Sequence, residues 1–200
     1  GKIVESDSTK LPKGVLCRGV WPVCNIGVKN RNNRRYSKQV FEKVMNNEDI
    51  IEKMQNRCLY GEPEHPQGSQ GTLTEASHII TRMFFDTVNE KGVMQEKLFQ
   101  EMDILNTERG RHIYSLLEAE CGVPVSTRAE GDLEEVKDED GSTFHNVIPE
   151  SYNYITTDFT SDPSTYNALP IDIKKNLVHE IVNGYKKSTD GKQHISKQFA

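Results

Sequence analysis

Two runs of strand-forming residues, "SHIITRMFFDTV" at 77–88 and "VMQEKLFQEMDIL" at 93–105, are separated only by the turn-forming "NEKG". Ile, Thr, Phe and Val fit a pleated surface, and so short a connection permits antiparallel pairing but not a parallel crossover. The chain is therefore committed to a sheet. Every helix it forms must be arranged around that sheet.

An earlier apolar, β-rich run, Val15 to Val28, extends the sheet, with Pro22 marking a bulge or an edge. Residues 36–57, "YSKQVFEKVMNNEDIIEKMQNR", read as a helix or helical pair. Ser37 is its N-cap, and Val40, Phe41, Val44 and Met45 share one face. The stretch Gly61 to Gly71 is rich in Gly and Pro and reads as a loop. A second helix is expected from Thr107 to Cys121, capped by Thr107, with Ile113, Leu116, Leu117 and Cys121 as its apolar stripe and Gly122 as its stop. "VPVSTRA" is a short strand, and the acidic "EGDLEEVKDEDGSTFHN" an exposed loop or hairpin tip. "SYNYITTDFT" is a strand. Ile171 to Tyr185 reads as a final amphipathic helix. Together these predict an α+β fold with a mostly antiparallel sheet or small barrel. We divide the chain into a flexible segment at 1–14, one domain at 15–185 and a tail at 186–200.

Length and composition narrow the functional classes. Two hundred residues suffice for one domain with a real core. No run approaches the roughly 18 apolar residues of a membrane helix. The start "GKIVESDSTK" has neither an initiating Met nor an apolar signal core, and it reads as a trimmed start instead of a secreted precursor. A net charge of −5 argues against a dedicated nucleic-acid binder. Cys17, Cys24, Cys58 and Cys121 form no C-x-x-C pair and no cluster with histidine, so zinc ligation is not expected. They read as reduced thiols of a cytosolic protein and not as a disulfide framework.

Three residues could support acyl-transfer chemistry, which needs a nucleophile, a base within hydrogen-bond reach and a group that orients the base. His65, in the proline-rich "YGEPEHP", is the base candidate; its plain reading is a surface histidine in a turn. Ser126, in "GVPVSTRAEG", is the nucleophile candidate, placed where its Oγ can project from a strand. Asp158, in "YITTDFTSDPS", can face the imidazole or simply end a strand. No G-x-S-x-G elbow is present, which disfavours an α/β-hydrolase. The order His65, Ser126, Asp158 also differs from the orders of chymotrypsin and subtilisin.

"NRNNRRYSKQVFEKV" at 30–44 resembles the "NRNxRxYxKxxxEK" block of the T-even phage prohead core proteases. A "GExxHP" element follows as Gly61, Glu62, His65 and Pro66. Then come a helix ending in "GV", the set Ser126, Thr127 and Arg128, and a late Asp158 with Pro163 and Ser164. The similarity runs from about Val28 to Asn167.

That resemblance implies a fold like the herpesvirus assemblins, a β-barrel surrounded by helices, and an assemblin-like serine endopeptidase. It would act inside the prohead interior, made in the host cytoplasm, and cleave scaffold and core proteins, capsid-protein propeptides and itself, typically after glutamate. Ser126 matches the family nucleophile and His65 its base. Assemblins use a second histidine as third member; this chain offers Asp158, with Glu62 and Glu64 as fallbacks. The chain departs from its relatives in the "PV" before Ser126 and the acidic "AEGDLEE" after it. Backbone N–H groups around Thr127 and Arg128 are the oxyanion-hole candidates. A glutamate preference needs a cation, and Lys29, Arg31, Arg34, Arg35 and Lys38 form the densest basic cluster, with Arg31 and Arg35 as substrate-binding candidates. The favoured plain reading of the same cluster is a solvated helix entrance, since surface charge is the default. No cofactor or metal is implied, and homo-oligomerisation stays open. "LLEAE" and "TRAEG" are candidate self-cleavage sites.

Four rival readings accompany this one. The first is an inactive scaffold or core component with the same fold. Another is a metal hydrolase using Glu62, Glu64 and His65, which lacks the H-E-x-x-H helix. A Cys121 protease is disfavoured because a helix C-terminus raises a thiol's pKa. The last is a nucleic-acid binder using the basic cluster.

Overall fold

The computed structural model describes residues 11–64, 66 and 72–175. Strand β1 is Val15–Asn25 and β2 is the short Arg34–Arg35. Helices α1 (Lys38–Met45) and α2 (Glu48–Gln55) follow, then β3 (Tyr60–Gly61), β4 (His78–Glu90) and β5 (Val93–Leu105). After α3 (Glu108–Glu118) come β6 (Val125–Glu130), β7 (Leu133–Lys137), β8 (Thr143–Val147), β9 (Asn153–Phe159) and β10 (Asp172–Lys175).

The β4–β5 hairpin organises the molecule. It is paired from His78↔Ile104 to Glu90↔Val93. The turn contracts to Lys91 and Gly92, whose φ values of 53° and 89° match the right-handed twist of the flanking strands. β5 also pairs with β1, whose register shifts between Pro22 and Cys24, because a proline nitrogen cannot donate to the ladder. The main sheet has the order β10-β1-β5-β4-β3; a second holds β2-β8-β7 and a third is the ribbon β6-β9. All pairings are antiparallel except β2 with β8. The fold is thus mixed α+β with mostly antiparallel strands. The expected surround of helices is reduced to three among the described residues.

The two helices after β2 form the expected pair. Ser37 holds the N-cap position of α1 but makes no side-chain cap bond, whereas Asn47 caps α2 by accepting from Asp49 N–H and Ile50 N–H. Val40, Phe41 and Val44 are buried in the hydrophobic core. Thr107 caps α3 as expected, accepting from Gly110 N–H. The helix ends sooner than its sequence indicates. Glu120 takes a left-handed φ of 58° and stops it ahead of Gly122, which leaves Cys121 exposed and outside the buried stripe of Ile113, Tyr114 and Leu117.

One of the two readings of the acidic stretch is selected, and one further expectation changes. The acidic stretch after β6 supplies a real hairpin, β7–β8, with its tip at 138–142. The helix expected from Ile171 is overturned at its start: Asp172–Lys175 is a strand on β1, with Gly19↔Ile173 in register and Ile173 buried. Apolar residues spaced along a short segment satisfy either period, and the open edge of β1 selects the extended one. The remainder of that segment and the tail lie outside the described residues.

The core runs continuously between the main sheet and the ribbon. Trp21 of β1 is fully buried, its Nε1 donates to Val123 O at 3.0 Å, and its ring meets Phe159 of β9 edge-on at 5.3 Å. Buried aromatic contacts of this kind fix relative positions because close packing leaves no room to slide. β9 is thereby locked to the main sheet.

Candidate active site

The ribbon β6–β9 carries the site. Ser126 stands directly across from Asp158, in the register Val125↔Phe159, Ser126↔Asp158, Thr127↔Thr157, Arg128↔Thr156. Opposed residues of an antiparallel pair project to the same face with Cβ atoms about 5 Å apart. Ser126, Arg128 and Asp158 therefore share one face, and all three are buried.

Asp158 is fully buried and cannot stand there as an unpaired charge. Arg128 pairs with it through both arms of its fork, Nε to Oδ2 at 2.9 Å and Nη2 to Oδ1 at 3.1 Å. Glu62 N–H donates to the same Oδ1 at 3.1 Å. These contacts fix the orientation of the Asp158 carboxylate.

On the other side of β9 runs the segment that leads to residue 65. Pro63 bridges Phe159 in parallel, Phe159 N–H donates to Glu62 O at 3.1 Å, and Glu64 N–H donates to Phe159 O. Glu64 adopts a φ of 59°, and its carboxylate accepts from Thr160 Oγ1 and Ser161 N–H. His65 itself lies outside the described residues. Its neighbour Glu64 is pinned to the strand of Asp158.

Hydrogen-bond alternation along the ribbon distinguishes the two oxyanion-hole candidates. Thr160 N–H donates to Pro124 O, and Phe159 turns its N–H and C=O towards residues 62–64. Ser126/Asp158 and Arg128/Thr156 are then the hydrogen-bonded pairs, so Arg128 N–H points into β9. Thr127 N–H points to the opposite edge, which no other strand covers among the described residues.

Ser164, in the segment that follows β9, reaches the site. Its Oγ lies 3.4 Å from Ser126 Oγ, and its carbonyl accepts from Arg31 N–H at 2.9 Å. The basic cluster of the sequence is dispersed around this point. Arg31 donates through Nη1 to Pro163 O at 3.3 Å and lies over the Tyr166 ring, close to Ser164. Arg35 instead donates to Asn146 Oδ1 and stacks over Phe144. Lys29 pairs with Asp138 and Lys38 with Glu96.

A histidine that sequence reasoning passed over, His78, lies beneath the ribbon. It is fully buried, 4.3 Å from the Phe159 ring centroid. A carbonyl only accepts, so the 2.9 Å contact to Thr157 O places the hydrogen on Nε2, and neutral Nδ1 accepts from Ser77 Oγ at 2.8 Å. Burial pushes its pKa down to about 4, against a smaller upward pull from Asp158. It is a neutral brace for β9. The partnership of Arg128 with Asp158 was also missed, and its only sequence signal is the i, i+2 spacing that puts Ser126 and Arg128 on one strand face.

No group of three or more metal-ligating side chains occurs among the described residues. Nor is any described helix long and apolar enough to cross a membrane. The carboxylates of Glu62 and Glu64, which a metal reading would need, are engaged with Thr72 and Arg128 and with Thr160 and Ser161.

Comparison with known proteins gives two matches. A family model described as prohead core protein serine protease matches residues 3–172. The structure is similar to that of the bacteriophage T4 capsid assembly protease, gp21, with a TM-score of 0.56 and 19% identity over 72% of this chain and 81% of that one. At that identity the likeness is one of fold. No curated protein matches the chain.

Proposed function

Because the chain belongs to the family of prohead core protein serine proteases, we propose that it is the serine endopeptidase of phage head maturation, with Ser126 as nucleophile, His65 as general base and Asp158 as the orienting carboxylate. The observation that carries this assignment is the opposition of Ser126 and Asp158 across β6–β9, with Glu64 bonded to the next residue of β9. Three segments distant in sequence converge on one strand.

In this reading His65 takes the proton from Ser126 Oγ as it attacks the scissile carbonyl and returns it to the leaving amine. Asp158 holds the imidazole tautomer and stabilises the imidazolium. Arg128 keeps Asp158 in place through its side chain, and Thr127 N–H, facing the open edge of β6, is the preferred oxyanion donor. Such a donor is typically worth about 3–4 kcal/mol in the barrier. Arg31, beside Ser164, is the better placed cation for a substrate carboxylate than Arg35, whose guanidinium is occupied by β8. The substrates are scaffold and core proteins, capsid-protein propeptides and the chain itself, cut after glutamate within the prohead. The catalytic domain spans 15–185.

Wild-type chain and Ser126→Ala are incubated with head scaffold proteins, and new termini are read by mass spectrometry. Fragments ending in glutamate with wild type alone are expected, together with fluorophosphonate labelling that vanishes in Ser126→Ala. Intact substrates and no labelling of wild type would instead indicate an inactive scaffold component of the same fold.

A further inference from the structure

The segment from Thr160 to Ala168 is fastened at both ends beside the start of β6. Thr160 N–H donates to Pro124 O at 3.0 Å, and Ala168 O accepts from Val125 N–H at 3.2 Å. Between these ends Thr165 is buried and its Oγ1 donates to Val23 O of β1 at 2.8 Å. Arg31 adds two more ties, from its N–H to Ser164 O at 2.9 Å and from Nη1 to Pro163 O at 3.3 Å. The backbone is thus held on both sides of Ser164, and the fold sets where its half-buried side chain stands. N–H groups alternate along a strand, so Val125 N–H and Thr127 N–H lie on the same edge of β6. Ala168 O meets the first of them. Ser164, earlier in that same segment, places its Oγ 3.4 Å from Ser126 Oγ.

We propose that Ser164 is a further catalytic residue: its hydroxyl donates a hydrogen bond to the oxyanion that forms on the substrate carbonyl when Ser126 attacks, as a second donor beside Thr127 N–H. This deepens the reading of Ser126 as nucleophile and rests on it, whichever side chain is the base. Hydroxyl–hydroxyl hydrogen bonds centre on about 2.7–2.8 Å, so a 3.4 Å contact is a poor tether for the resting nucleophile. It is a good place for a donor. Once Ser126 Oγ bonds to the scissile carbon, the oxyanion hangs from that same carbon, within reach of a hydroxyl beside Oγ. The Ser164 hydroxyl hydrogen only rotates towards it; no proton leaves Ser164 and no backbone atom moves. A charged acceptor makes a bond roughly twice as strong as a neutral carbonyl does. The contact therefore strengthens as the barrier is climbed, which raises kcat without tightening the binding of substrate.

Ser164→Ala deletes the hydroxyl and leaves every backbone tie of the segment, so its urea midpoint is expected to match that of wild type. In the cleavage of a head scaffold protein it is expected to lose about 100-fold or more in kcat, with KM changed less than about threefold. Ser164→Thr keeps a hydroxyl and is expected to return kcat to within about tenfold of wild type. A peptide aldehyde forms a tetrahedral adduct with a nucleophilic serine and presents the oxygen in question. Ser164→Ala is expected to bind it about 100-fold more weakly than wild type does. The uncut peptide of the same sequence is expected to bind Ser126→Ala and the double variant Ser126→Ala, Ser164→Ala equally well, which a defect in packing or in substrate binding would not allow. Wild-type kcat in Ser164→Ala, beside an inactive Ser126→Ala, overturns this inference alone. So does a raised KM at unchanged kcat, which assigns Ser164 to substrate binding instead. An inactive wild-type chain, or a Ser126→Ala variant as active as wild type, removes the nucleophile reading and this inference with it.

Discussion

Gly61 has no room for a side chain. A Cβ built on it would collide with the His78 imidazole and with Thr157 O, the two partners of the hydrogen bond that braces β9. The glycine lets β3 approach β9 closely enough for Glu62 to reach Asp158. Gly61→Ala therefore forces a backbone or a buried ring to move, and overpacking of this kind costs about 1–3 kcal/mol or more. We expect a lower urea midpoint, with activity falling further than stability alone accounts for, because the displaced element leads into residues 62–65. Equal midpoints for Gly61→Ala and wild type would show that the site tolerates the shift. At this scale the sequence was only partly legible. Ser126 and Asp158 could be nominated by type and by their segments, but the need for glycine at 61 arises from His78, 17 positions later in the chain, whose inward aim no local pattern reveals.

Elements defined by local rules could be read, and elements defined by distant partners could not. The β4–β5 hairpin, the α1–α2 pair, the start of α3, and strands β6 and β9 follow from periodicity, caps and turn residues close by in the chain. β2 and β3, two residues each, exist only because β8 and β4 lie beside them. β10 is the clearest case, since its partner β1 is at the other end of the described chain. Its side chain Ile173 is 3% exposed and fills the core beside Gly19. Ile173→Ala should cost about 2–5 kcal/mol, as other large-to-small core changes do, and lower the denaturant midpoint accordingly. A change below about 0.5 kcal/mol would mean that this strand contributes little to the fold.

For the molecule as a whole, the buried His78 makes stability depend on pH. The folded state holds the ring neutral, with a pKa near 4 against an ordinary 6.5, so the unfolded chain takes the proton more readily. Above about pH 6.5 both states are neutral and the stability is fully present. As pH falls from there towards 4 it is progressively lost, by about 3 kcal/mol from this residue. Urea melts at pH 7, 5.5 and 4.5 are expected to show the fall, and His78→Gln should flatten this part of it. A His78→Gln variant as acid-sensitive as wild type would assign the fall to other groups.

The ribbon that carries Ser126 is completed late. During synthesis β6 leaves the ribosome before β9, and until β9 is laid down Ser126 faces no carboxylate and Pro63 has no Phe159 to align with. Under the proposed function a half-made copy therefore lacks an assembled site, and the order in which the polypeptide emerges delays that assembly until β9 takes its place.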